Sequence, residues 1–249
     1  MAMNRVTWAS GVLTLFSSLA FGACNDPPAP KVNWFGCDLS ERDLSRADLR
    51  EAIFSNATLH RTVLAEAILT GADFEGARAE ATDFRNAQLG HARFINANLH
   101  KANFAGANLD GTHFNRADLR EASLQSANGE KASFYDANMA LTRLDNCTLP
   151  NANFEQARLT SAEFSKATLT QARFSEALLE KARFVGANLQ KSKLNNANLS
   201  GADLSNTDLS QADLAGAQIT GAIFKDAILA NTTWIDRRRC KPASIGTCQ

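Results

Sequence analysis

The chain is written in fives. With Leu39 as the centre of a five-residue unit, stepping by five reaches Trp234 without an insertion or deletion. Of those 40 centres 23 are Leu and 12 are Phe, so an apolar residue recurs on one frame throughout. Ala79, Gly129, Met139, Ile219 and Trp234 are the exceptions. Two residues before each centre the chain is small: Ala fills 30 of the 40 places, and Thr, Ser or Cys most of the others. The residue just before the centre is usually Asp, Asn or another polar type, as in Ala47-Asp48-Leu49, Ala107-Asn108-Leu109 and Ala202-Asp203-Leu204. Chance does not keep such a frame, and internal repetition settles architecture before local propensity is consulted.

The unit resembles that of the pentapeptide repeat family, Ala-(Asp/Asn)-Leu-x-x, over about four-fifths of the chain. The resemblance implies an all-β fold, a right-handed quadrilateral β-helix of about ten coils with four units per coil. It also implies that the central Leu or Phe and the small residue point inward. The number four is visible without the family, because sorting the centres by steps of twenty separates them into columns. One column runs Phe54, Phe74, Phe94, Phe114, Phe134, Phe154, Phe174, Leu194, Leu214, Trp234. The next but one mixes Leu with Phe84, Phe104, Phe164, Phe184 and Phe224, and the two between are almost wholly Leu. Like residues therefore stack on like. A single unit buries almost nothing, so stability must come from stacking neighbours into a continuous core. Burying a Leu or Phe is worth about 1.5–3 kcal/mol. Ten coils at about 4.8 Å make a rod of roughly 50 Å.

Residues 1–23 have the layout of a secretory signal peptide: Arg5 as the only charge, an apolar run through Val12 to Phe16, then Leu19 to Ala23 with small residues at the cut. This predicts a periplasmic or secreted protein. Gly22-Ala23-Cys24 also suits a bacterial lipoprotein cut, which would acylate Cys24 and anchor the protein to a membrane. Residues 24–36, with Pro27, Pro28 and Pro30, read as an N-terminal arm and cap, on which Trp34 is expected to close the first coil as a lid. The repeat occupies residues 37–235. Arg42, in a small inward slot, fits poorly and is expected to escape to solvent.

Residues 236–249 leave the frame. Trp234-x-Asp236, Arg238-x-Cys240 and Ser244-Ile245-Gly246-x-Cys248 look like the tail that closes some secreted bacterial members of the family. Five cysteines are an odd count. The assignment made here pairs Cys240 with Cys248 and Cys24 with Cys37 in an oxidising compartment, leaving Cys147 free in an inward slot. Acylation of Cys24 would instead leave Cys37 a second buried thiol.

Charge bears on function. Lys+Arg and Asp+Glu both number 26, so the surface carries no net charge to compete with a polyanion. The best-known members of the family protect type II topoisomerases from quinolones by mimicking DNA, which needs a strongly acidic outer surface. Here Arg78, Arg93, Arg143, Arg158, Arg173 and Arg183 interleave with Asp83, Asp118, Glu163 and Asp203. That alternative recedes, and no nucleic-acid partner is expected. His60, His91, His100 and His113 are too scattered to chelate one metal, and no catalytic or cofactor-binding residue stands out. The Asp before each centre reads as a backbone-satisfying residue rather than half of an acid–base pair. A carbohydrate-active β-helix enzyme would need an acidic cluster in a groove, and units joined without insertions have no loops to build one. The chain is therefore read as a non-enzyme.

What remains is surface for an unknown protein partner. Apolar outward residues cluster at the ends: Ile53, Val63 and Ile68 near the start, Ile223, Ile228 and Ile235 near the finish. The arm and tail are expected to cover them, and the alternative is an end-on partner or an end-to-end dimer in place of a monomer. Gly129, a core Leu position beside Tyr135 and Met139, is expected to leave a filled void or a bend, with a binding notch as the alternative. The reading is of an exported, non-enzymatic scaffold or protein-interaction module of the bacterial envelope.

Overall fold

A five-residue unit satisfies its backbone by borrowing from the units above and below. The computed structural model describes residues 24–249, so the leader read at residues 1–23 lies outside the described residues. In Asp73-Phe74-Glu75-Gly76-Ala77 every N–H has a partner. Asp73 donates down to Ala52 at 2.9 Å, while Phe74 and Gly76 donate up to Arg93 at 2.7 Å and Ile95 at 2.9 Å. Ala77 closes a turn onto the carbonyl of Phe74 at 3.0 Å. The remaining N–H, on Glu75, is taken by the Asp73 carboxylate at 3.0 Å. That last bond explains Asp or Asn before the centre: the short side chain accepts from the backbone two residues on. Asp43, Asn103, Asn153 and Asp213 do the same for Ser45, Ala105, Glu155 and Ala215.

The turn sets the next preference. The residue two after every centre, from Lys31 to Asn231, has φ between +53° and +71°, the left-handed second position of a type II turn. Glycine takes it freely at Gly71 and Gly76, and polar side chains fill most other corners.

Parallel bridges in a register of twenty join Asn33 to Ile53 and every fifth residue after it, up to Asp213 with Thr233. Each is a single bridge. Among the described residues the walls are ladders of bridges between turns rather than extended strands, because each unit surrenders its other residues to the turn. Four ladders define four faces. Face one runs from Asn33 to Thr233, face two from Asp38 to Gln218, face three from Asp43 to Ile223 and face four from Asp48 to Ile228.

Inside, Phe rings of face one lie parallel, with centroids 4.5 Å apart for Phe54–Phe74 and 4.8 Å for Phe134–Phe154. Across the tube they meet the rings of face three edge-on, as in Phe74–Phe84 at 5.6 Å and 87°. Such pairs add about 0.5–1.5 kcal/mol beyond burial. Where an inward small residue is Thr, its hydroxyl donates to the carbonyl of a centre in the coil below, Thr62 to Leu39 at 2.9 Å and Thr112 to Leu89 at 2.8 Å. Buried Thr therefore costs no unsatisfied group.

Two expectations are corrected, and at Gly129 the filled void is found in place of a notch. Trp34 is not a lid but a member of the face-one column, fully buried with its ring 5.4 Å from that of Phe54, and Asn33 already pairs with Ile53. Arg42, half-buried, reaches the surface but is not free there: its Nη1 donates to the Cys24 carbonyl at 3.0 Å and ties the arm to the first coil. Gly129 leaves no notch, since a Cβ there would lie 2.6–2.8 Å from the carbonyl group and Cβ of Leu109. The wall has closed against its neighbour.

Candidate functional site

The cysteines mark the two ends. Cys24 and Cys37 form a disulfide with Cα atoms 5.4 Å apart, and Cys240 and Cys248 form another at 4.9 Å. Cys147 is free and buried, and burial pushes its thiol well above the ordinary range, which leaves it protonated and unreactive.

The tail after Trp234 folds back antiparallel on the last coil, pairing Ile245 with Ile228 and Arg239 with Thr233. It covers faces four and one only. Ile223, Ile228 and Ile235, grouped by sequence, are thereby separated. Ile228 is bridged by Ile245 of the tail but its side chain stays 42% exposed, Ile235 packs half-buried on the core, and Ile223 stands 49% exposed on face three. Beside Ile223, the core residues Ile219, Ala222 and Phe224 are only partly buried. The C-terminal end is thus half sealed, and its open half carries no charge at the ladder positions Gln218 and Ile223. Ladder charges are what usually blunt an exposed edge. The opposite end carries Asp38, Asp43 and Asp48 there.

The walls offer little concavity. A depression of about 140 Å³ on face one is lined by Tyr135, Glu155, Gln156, Ser175 and Glu176. Its polar groups bond one another: the Tyr135 hydroxyl donates to Gln156 at 2.7 Å, Gln156 donates to Glu176 at 3.1 Å, and Arg173 holds Glu155 at 2.6 Å. His100 lies between Glu80 at 3.4 Å and Glu121 at 3.3 Å, so each ring nitrogen faces a carboxylate. Among the described residues no group of His, Cys, Asp and Glu could hold a metal ion.

Surface charge is distributed unevenly. Up to Asp136 many of the ions meet in pairs, including Arg46–Glu66, Arg85–Asp83, Arg93–Asp73, Lys101–Glu121 and Arg120–Asp118, though Arg61 and Arg78 form none. The hydrogen bond from Arg120 lowers the Asp118 pKa despite partial burial, and a bond from the Ser45 hydroxyl lowers that of Asp43. From residue 137 to 235, among the described residues, the one ion pair is Arg173–Glu155. Arg143, Arg158, Lys166, Lys181, Arg183, Lys191 and Lys193 form none.

A family model described as a pentapeptide repeat region matches residues 30–104, 97–174 and 157–234. The chain belongs to the pentapeptide repeat family. Membership carries with it the right-handed quadrilateral β-helix whose four faces are described above. Among solved structures the chain is similar to HetL, a pentapeptide repeat protein involved in heterocyst differentiation regulation from the cyanobacterium Nostoc sp. strain PCC 7120. Identity is 28%, covering 84% of this chain and 92% of that one, with a TM-score of 0.69. It is also similar to QnrB1, a plasmid-mediated fluoroquinolone resistance protein, at 18% identity over 75% of this chain and 88% of that one, TM-score 0.44. A pentapeptide repeat protein from the Arabidopsis thaliana thylakoid lumen matches at 21% identity over 56% and 82%, TM-score 0.24. No curated protein matches the chain's sequence.

Of the large apolar residues left exposed, Leu141, 57% exposed, and Leu178, 40% exposed, stand in the body of the rod, away from Phe35, Ile53, Ile223, Ile228 and Ile245 at its ends. Attention to apolar residues at the ends passed over both. The signal was present, since Leu141 is the one aliphatic residue larger than Ala at a left-handed corner.

Proposed function

We propose that this pentapeptide repeat protein is an exported, non-enzymatic scaffold of the bacterial envelope, a rod of about ten coils that engages a protein partner through its surface. One observation carries the reading of export. Both ends are stapled by disulfides, Cys24–Cys37 and Cys240–Cys248, while the core cysteine stays reduced. Such staples form and persist in oxidising compartments. The leader layout of residues 1–23 supports the same conclusion. The engagement of the Cys24 sulfur with Cys37 argues against a lipid anchor, because one sulfur cannot hold both a disulfide and a thioether.

A scaffold role is supported by walls that run from unit to unit without an inserted loop. A nearly neutral surface argues against imitation of a polyanion. The unsealed half of the C-terminal end, at Ile219, Ile223 and Phe224, is where a partner or a second copy would add end-on.

The test is cell fractionation with intact-mass measurement. A periplasmic product cut at or near Ala23, lighter by four hydrogens than its reduced form and free of lipid, is the expected result. A lipid mass on Cys24 would make it a membrane-tethered rod. An uncut cytoplasmic product with reduced cysteines would overturn the proposal.

A further inference from the structure

Two leucines on one wall cost the fold something and return nothing to it. Leu141 occupies a left-handed corner at φ +61°, where a bulky side chain is disfavoured, and still leaves 57% of itself in water. Leu178 stands on the face-two ladder directly above Arg158, which stands above Asn138. The Leu141 N–H donates to Thr160, so residues 138–141 lie under 158–161, with 178–181 above them. The leucines thus sit diagonally across three coils. The unit between them presents the smaller Thr160 and Ser161, a shallow saddle between two apolar knobs.

The saddle is set among unpaired cations. Arg158 borders it on face two. Around the corner, face three stacks Arg143, Glu163 and Arg183 in consecutive coils. Neither Arg158 nor either face-three arginine forms an ion pair among the described residues; lower on the rod the corner residues Arg85 and Arg120 pair with Asp83 and Asp118, while Arg78, on the same ladder as Arg158, does not. Of the nearby carboxylates, Glu180 is occupied by Asn198 at 2.7 Å and Thr160 at 3.3 Å.

We propose that this wall, faces two and three from Asn138 to Arg183, docks an extended acidic segment of a protein partner, with an apolar side chain of that segment seated between Leu141 and Leu178. The proposal rests on the reading of the rod as an interaction module, but not on its export. Arg143 and Arg183 are two coils apart, about 10 Å, and an extended segment in the polyproline II conformation turns the same side to the wall every third residue, about 9 Å on. Carboxylates three apart therefore meet both arginines, and the residues between them pass Glu163 without a charge. Guanidiniums hold carboxylates in a planar, bidentate geometry that suits this arrangement. A nucleic-acid backbone fits less well: its phosphates would fall on Glu163 and would leave the leucines uncovered. A bilayer fits less well too, since two leucines on a flat wall insert little.

The experiment is selection of displayed random twelve-residue peptides against the full mature protein and against its Arg143→Glu/Arg183→Glu variant. The expected result is enrichment of sequences with Asp or Glu three apart and an apolar residue between them. Such a peptide should lose about tenfold or more in affinity against the double variant and several-fold against Leu141→Asn. Thermal melts establish that both variants fold; a variant that does not is replaced by Arg158→Gln in the same assay. Enrichment that is neutral or basic, or that is unchanged by the substitutions, overturns the proposal. So does equal or tighter binding to a short DNA duplex or to phosphatidylglycerol vesicles through the same residues. Fractionation leaves this outcome untouched, so a failure here is distinguishable from a failure of export.

Discussion

Below Asp136, most arginines of the rod meet carboxylates, as Arg46 with Glu66, Arg85 with Asp83 and Arg120 with Asp118, while Arg42, Arg61 and Arg78 do not. Within the repeat above Asn138 the arginines stand at ladder positions instead of corners, at Arg143, Arg158, Arg173 and Arg183, and of these only Arg173 meets a carboxylate, Glu155. The interior makes no such distinction. Phe94 lies between Phe74 and Phe114 in the lower part, and Phe174 stacks on Phe154 in the upper, each crossed edge-on by rings from face three. One core pattern therefore supports two different surfaces. The solenoid leaves its outward residues free to be chosen for something other than folding, and the upper half is where that freedom shows.

The largest expected effect tests the sameness of the interior. Phe94→Ala and Phe174→Ala should each cost about 3–5 kcal/mol, by loss of buried area and of ring contacts into a cavity that stacked coils cannot collapse. Guanidinium denaturation of each variant measures it. A cost confined to one half would break the comparison, because it would mean that only that half is held by its core.

Next in size is the seam between the halves. Gly129→Ala places a methyl 2.6 Å from the Leu109 carbonyl carbon, where backbone must move, and should cost about 1–3 kcal/mol. Gly90→Ala is the control. Its Cβ would sit 3.7 Å from the Asp110 carbonyl, an ordinary contact, and the change should stay within about 0.5 kcal/mol. Equal effects at both positions would show that the closed wall does not explain the glycine, since the reduced freedom of the unfolded chain acts alike at both and favours Ala.

Acid should separate the halves in the opposite direction. Asp43 is held below its ordinary pKa by the Ser45 hydroxyl, Asp48 by Arg50, Asp118 by Arg120 and Glu121 by His100. In the upper half, of the carboxylates with a lowered pKa, there is only Asp208. A carboxylate whose folded pKa is depressed stabilises the fold fully above its unfolded value, near pH 4, and loses that contribution as pH falls through the folded value. Hydrogen exchange compared between segments at one pH should show residues 38–121 losing protection before residues 143–199 as the solution is acidified below about pH 4. Simultaneous loss would mean that the rod unfolds as one unit.

How far these differences could be read from sequence follows from their physical range. The frame, the columns and the role of the Asp before each centre are legible because they repeat locally. Each depends on residues within one unit or on identical residues twenty apart. Arg42 was misjudged because its partner is the Cys24 carbonyl, supplied by an arm whose path the repeat does not specify. Trp34 stands on the five-residue frame, and what the frame does not tell is that the arm covers it, so that it is a buried member of the column and not the lid. The ends are the least legible part. Ile223, Ile228 and Ile235 share one pattern, and only the route of the tail decides which of them stays open. Some surface pairs, as Arg85 with Asp83 and Arg120 with Asp118, lie within one unit and are legible there; those that reach across a coil, as Arg46 to Glu66, are not, and composition, which is balanced in charge, is silent about them.

The smallest effect tests whether the upper surface is built for binding. Leu141→Asn replaces a bulky aliphatic residue at φ +61° with one whose short polar side chain tolerates that conformation. It also removes an exposed apolar group that contributes little to the core. A structural role for the leucine would make the change destabilising. A surface retained for a partner makes it stabilising, by about 0.5–1 kcal/mol, since the left-handed corner disfavours Leu by about 1–2 kcal/mol and Asn by less. A thermal melt reads the sign directly. A rise in stability, together with weaker binding of the selected acidic peptide, would show that the corner trades stability for recognition. A fall would return Leu141 to the fold and remove one of the saddle's two knobs from the interaction surface.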